Sequence, residues 1–145
     1  MNMDMSSVDI PAIAWGLAVG IGLSFIVGTL LAVITGISIA AGDDVDAPGM
    51  DEEEFARYYL ENISDTHFMF GIVVISLLIN VLAGYVTARM AHSGAYLNSA
   101  IMALLVLAFS LYLELRRPVL PRWALWLFII ASIPAALFGA YGAGA

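Results

Sequence analysis

Long apolar runs alternate with short polar stretches along this chain. The runs cover about 11–41, 67–90, 95–115 and 120–142, and the longest polar stretch is 43–65. Each run is near or above the roughly 20 helical residues that cross the hydrocarbon core of a bilayer. The pattern predicts an all-α, polytopic membrane protein, with four transmembrane helices in a compact bundle and one domain over residues 1–145. As helix, the first run would be about 45 Å long, more than the core requires. It must tilt, bend at a glycine, or protrude.

Within that first run a small residue recurs at every fourth position: Ala12, Gly16, Gly20, Ser24, Gly28, Ala32, Gly36 and Ala40. Small residues so spaced form a shallow groove where another helix backbone can approach closely. Four residues turn a helix by about 400°, so the row drifts about 40° per step. The groove therefore winds, and is expected to serve different neighbours at different depths. The second run carries Ser76, Asn80, Gly84 and Ala88, and the fourth carries Ala131, Ala135, Gly139 and Ala143, with Pro134 between. Gly16, Gly20, Ser24, Gly28, Gly36, Gly84, Ala88, Ala135 and Gly139 are thus the expected helix-packing positions. The plain alternative is that glycine and alanine are simply common in membrane helices.

Polar groups inside the runs are few. Asn80 is the most polar residue near mid-span. An unpaired amide in hydrocarbon costs several kcal/mol, so Asn80 is expected to bond to a neighbouring helix, a contact worth about 1 kcal/mol. Tyr85, Asn98 and Glu114 are the other intramembrane polar candidates. Glu114 stands beside Arg116 and Arg117, which makes pairing at an interface its expected role. Asp9 suits the cap of the first helix, with Pro11 in its first turn. The segment AHSGA, 91–95, is long enough only for a tight turn. Pro118 and Pro121 break the chain before Trp123 and Trp126, which read as interface anchors.

The polar loop 43–65 has a turn signal at Pro48-Gly49, then Asp51 and Glu54 in the pattern of a helix start. Phe55, Tyr58, Tyr59 and Ile63 follow on one face, and Glu53–Arg57 and Arg57–Glu61 are opposite charges four apart. A short interfacial helix is expected there. A solvated charge run is the plain reading of its acids, and a cation-collecting mouth or a dock for a basic partner is the functional one. Their spacing does not suit a calcium loop.

Composition narrows the classes further. Hydrophobic residues make up 62% of the 145 and charged residues only 12%, half the share of an ordinary soluble domain, which is about 25%. There is no cysteine, which excludes disulfides, thiolate metal sites and cysteine nucleophiles. With no lysine and five arginines, the chain lacks a nucleic-acid footprint. The net charge of -7 is local, because nine of the twelve acids lie between Asp43 and Asp65. No basic segment precedes the first apolar run, which is read as retained rather than cleaved.

The stretch AGYVTARMA (Ala83–Ala91) resembles a Gly-Gly-Tyr-Val-Ala-Ala-Arg-Ile-Ala-like signature that ends the second span of small uncharacterised four-helix bacterial inner-membrane proteins. IPAALFGAYGA (Ile133–Ala143) is similar to the Leu-Pro-Ala-Ala-Leu-Leu-Gly-Gly-like segment of their last span. The order of parts agrees, from glycine-rich first span through acidic loop to aromatic-led last span. The chain departs from that pattern in having Ala83 for the first glycine and no arginine-rich tail. The resemblance implies the four-span architecture and no activity. Orientation divides the two arguments. Arg57, Arg116, Arg117 and Arg122 lie in the first and third loops and only Arg89 flanks the second, which favours cytoplasmic first and third loops. The resemblance implies the reverse, and the expectation adopted is a bacterial inner-membrane protein with both termini cytoplasmic.

Three functions fit such a chain. As a non-enzymatic accessory or scaffold subunit, it would pack its grooves against another membrane protein or copies of itself, with the lipid bilayer as its medium. As a small oligomeric transporter or channel, it would line a polar path with Asn80, Tyr85, Thr87, Asn98 or Glu114. As an enzyme it could offer only His67, His92 and Glu114, ungrouped in sequence. The first is the expectation, with no catalytic residue, no metal ligand set and no cofactor, and the transporter is its alternative.

Overall fold

A computed structural model describes residues 8–40, 66–116 and 120–145. Those residues form four helices: α1 (Ile10–Ala40), α2 (Thr66–Met90), α3 (Ala95–Arg116) and α4 (Arg122–Gly142). Each is long and apolar enough to cross a membrane. The expected interfacial helix in 43–65 lies outside the described residues.

The helix ends follow from local chemistry. Asp9 caps α1, its Oδ1 accepting the Ala12 N–H at 3.1 Å. Pro11 is harmless one residue into the helix, since first-turn N–H groups have no intrahelical acceptor. Gly94 holds φ at 62°, the left-handed turn that joins α2 to α3. Pro121 precedes the first turn of α4 in an extended conformation. At the far end of α4, Gly144 has φ 81°. Its N–H reaches the Tyr141 carbonyl at 3.0 Å, and the Ala145 N–H reaches Ala140 at 3.4 Å. This is a glycine-terminated helix end that satisfies the last carbonyls.

Antiparallel connections bring the start of α1, the end of α2, the start of α3 and the end of α4 to one end of the bundle. α2 packs against all three other helices, most extensively α4 and then α1. α3 also touches all three, while α1 and α4 make little contact with each other. The core is built of small groups. Ala12, Ala83, Ala103, Ala124, Ala136 and Ala140 are almost wholly buried, with Met102 and Val73 the largest fully enclosed apolar side chains.

Candidate functional site

Among the described residues, the glycines that leave no room for a methyl all mark contacts of α2 between Val81 and Thr87. Ala83 and Thr87 face α1, where a methyl added to Gly16 would strike Thr87 Oγ1 and come within 3.1 Å of the Ala83 carbonyl. Gly84 faces α4, where an added methyl would strike the Ala136 carbonyl. From α4, Gly139 returns the contact, since a methyl added there would strike the Val81 carbonyl and come within 2.8 Å of the Tyr85 amide nitrogen. The third neighbour joins through a hydroxyl, as Ser99 of α3 donates to the Gly84 carbonyl at 3.1 Å. About two turns of α2 thus receive three helices, two of them at backbone contact distance.

A polar clasp closes the same end. The Asp9 backbone N–H donates to Asn98 Oδ1 at 2.8 Å, and Asn98 Nδ2 donates to the carbonyls of Ser93 and Gly94. Asp9 Oδ2 accepts the His92 backbone N–H at 3.1 Å and lies 2.8 Å from His92 Nδ1. These bonds, first the His92 side chain and then the two backbone donors, lower the Asp9 carboxyl from 3.8 to about 2. Tyr96 adds a bond from its hydroxyl to the Ala145 carbonyl at 3.0 Å. The clasp ties α1 and the end of α4 to the α2–α3 hairpin.

At the opposite end of the bundle a cavity of about 190 Å³ lies among the helices. Ser24 of α1, Ser76 and Asn80 of α2, and Ser110 and Glu114 of α3 supply its polar lining. Val73, Val106, Leu125 and Phe128 are among its apolar walls. Asn80 is buried and donates to Ser132 Oγ at 3.4 Å, a long bond across to α4. Ser132 in turn donates to its own helix at Phe128, 2.6 Å. Glu114 is half-buried and accepts the Leu120 N–H at 2.8 Å. A second, wider cleft between α1 and α3 shares Ser24, Val106 and Ser110 with this cavity.

The expected packing positions therefore divide. Gly16, Gly20, Gly84, Ala88 and Gly139 are buried. Ser24 and Gly28 are exposed, and a methyl on Gly28 would meet nothing within 4 Å. The surroundings of Gly36 lie outside the described residues. Ala135 is only half-buried, and α4 turns the adjacent row inward instead: Ala124, Phe128, Ser132, Ala136 and Ala140. Both rows of α4 are rich in small residues, so spacing could not choose between them. Among the polar candidates, Asn80 and Glu114 share the cavity, Asn98 belongs to the clasp, and Tyr85 is exposed. Thr87, also weighed for a polar path, donates to its own helix at Ala83, 2.8 Å.

Of the residues weighed for catalysis, His92 is at the clasp end and Glu114 at the opposite end, while the His67 side chain lies outside the described residues. Among the described residues every buried side-chain nitrogen and oxygen has a hydrogen-bond partner, and no three His, Asp or Glu gather as a metal site would require. Sequence reasoning missed Ser76 and Ser110 as cavity residues, and Ser132 and Ala136 as contacts. Only the i, i+4 pairs Ser76–Asn80 and Ser110–Glu114 hint at two polar faces turned toward each other. Comparisons with models of protein families, with curated proteins and with solved structures find no match.

Proposed function

We propose that this chain is a non-enzymatic, multi-pass membrane protein that acts as an accessory or scaffold subunit, packing through small-residue grooves. Membrane embedding is supported by exposure. Only 22% to 33% of the most apolar window of each helix is buried, and Phe25, Ile130, Phe138 and Tyr141 lie uncovered on the outside. So much exposed apolar surface suits lipid and not water. The observation that carries the scaffold reading is the division of α1. Its Gly16–Gly20 half is filled by α2 and α3, while Gly28, in the half beyond, meets open space beside exposed Phe25, Ile26 and Leu30. A second membrane protein, or another copy of this chain, would occupy that half.

The bacterial inner membrane and cytoplasmic termini rest on the resemblance at Ala83–Ala91. Among the described residues Arg89 lies at the end carrying the termini, and Arg116 and Arg122 lie at the other. Purification in mild detergent, with mass spectrometry of whatever accompanies the chain, tests the scaffold reading. A stoichiometric second chain is expected, and a lone monomer would count against it. A specific observation favours a second reading, a small oligomeric transporter or channel. Polar side chains from three helices converge on one cavity, and a closed ring of identical subunits with solute flux would move the assignment there.

A further inference from the structure

We propose that the cavity at the end opposite the clasp binds a small uncharged polyol, about the size of glycerol. The proposal deepens the transport reading and rests on the same cavity. It concerns occupancy at equilibrium, which a protein without flux would retain. Thr29, Thr87 and Ser132 each donate to the carbonyl four residues back on their own helix, and Ser99 donates to the Gly84 carbonyl of α2. A serine or threonine inside a membrane helix is ordinarily satisfied in one of these ways. Three hydroxyls depart from this, and all three line the cavity. Ser24, Ser76 and Ser110 make no hydrogen bond among the described residues.

Asn80, 2% exposed, adds a fourth group. Its Nδ2 donates to Ser132 Oγ, whose own hydrogen is spent on the Phe128 carbonyl. Ser132 can therefore only accept there, which fixes the amide nitrogen toward α4. No donor among the described residues reaches the amide oxygen. Since every buried side-chain nitrogen and oxygen of those residues has a partner, that oxygen is reached from the cavity Asn80 lines. Glu114 also borders the cavity but has partners of its own, the Leu120 N–H among them at 2.8 Å, and stands apart from these four.

Unbonded hydroxyls and amide oxygens are costly in hydrocarbon, and here they converge from α1, α2 and α3 on one space. All four groups are neutral. The hydroxyls both donate and accept, as the hydroxyls of a polyol do. The walls between them, Val73, Val106, Leu125 and Phe128, are apolar. Water filling the cavity would set several molecules against those walls without the two to four polar partners each one needs. A polyol lays its carbons there and its hydroxyls on the serines and the amide. At about 30 Å³ per small group, the 190 Å³ volume holds about six, the size of a three-carbon polyol.

The test is saturation-transfer NMR on the purified full chain in a phosphocholine detergent, whose head carries no hydroxyl. Glycerol and n-propanol are titrated in parallel. Glycerol is expected to bind saturably, and n-propanol, with the same carbons and one hydroxyl, about tenfold or more weakly. Ser76→Ala and Ser110→Ala should each weaken glycerol about two- to tenfold, the size of one neutral hydrogen bond. Thr29→Val removes a hydroxyl already spent on the Phe25 carbonyl and should leave glycerol affinity unchanged. Helicity and melting temperature are checked for all three variants. No saturable glycerol binding, which would mean water only, would overturn the proposal. So would equal binding of n-propanol, unchanged affinity in both folded alanine variants, or an equal loss in Thr29→Val. Flux measured on the same variants bears on the transport reading alone.

Discussion

Gly84 of α2 lies so close to Ala136 of α4 that a methyl on the glycine would run into the Ala136 carbonyl. Gly139 makes the reciprocal approach to the Val81 carbonyl. Both contacts belong to one crossing, so substitutions there should couple. Gly139→Ala alone is expected to cost about 1–3 kcal/mol, the usual range for overpacking. Adding Gly84→Ala should then cost less than it does alone, by about 0.5–3 kcal/mol, because the helices have already parted. Reversible unfolding of the two single variants and the double variant in detergent measures this, and strict additivity would mean the two glycines do not share a crossing.

Position along α1 should decide what a large substitution disturbs. At Gly20 an added methyl meets Ala83 Cβ at 3.4 Å and Val106 Cγ2 at 3.7 Å, ordinary contact distances. Gly20→Ala is expected to fold normally and Gly20→Leu to melt lower. Gly28→Leu, facing open space, should keep the wild-type melting temperature and lose whatever second chain copurifies. A Gly28→Leu variant that retains the second chain would place the interface elsewhere.

The clasp predicts an acid transition with a definite sign. Asp9 is depressed in the folded state, from 3.8 to about 2, so its stabilisation is complete above the higher value and drains away as pH falls toward the lower one. Asp9→Asn keeps a good helix cap but removes the charge. The difference in melting temperature between wild type and Asp9→Asn should therefore shrink between about pH 4 and pH 2. A difference that is constant across that window would show that the carboxylate bond to His92 does not stabilise the fold.

Asn80→Leu breaks the bond to Ser132, which is already long at 3.4 Å. A loss of about 1 kcal/mol or less is expected in an unfolding titration, with assembly intact. Abolition of an ion or solute flux by this variant, without loss of assembly, would favour the transporter over the scaffold.

Orientation has its own test. A reporter fused at Ala145 and active only in the periplasm should be silent, with the termini in the cytoplasm. Activity would reverse the topology and agree with the arginine distribution.

The four helices were legible because each apolar run is long and the breaks between them carry Pro, Gly and charge. The cap at Asp9 and the need of Asn80 for a partner were legible for a similar reason, since each is a polar group whose satisfaction is a local demand. The inward row of α4 was not legible. Ala135 and Ala136 are neighbours about 100° apart, both small, and only the position of Gly84 on another helix selects Ala136. Nor was the cavity, whose serines come from three helices and mean little until the bundle brings them together. The half of α1 beyond Gly20 reads in sequence like the half before it. What distinguishes Gly16 and Gly20 from Gly28 is that α2 and α3 pack against the first two and nothing described lies against the third.

The same substitution at two glycines tests most directly whether these small residues are there for backbone contact. Glycine to alanine in an open helix position normally stabilises by about 1 kcal/mol. Unfolding free energies of Gly84→Ala and Gly28→Ala, measured side by side in the same detergent, are predicted to move in opposite directions, down at Gly84 and up or unchanged at Gly28. Gains at both positions would contradict the account, because they would show that α2 and α4 never needed the room.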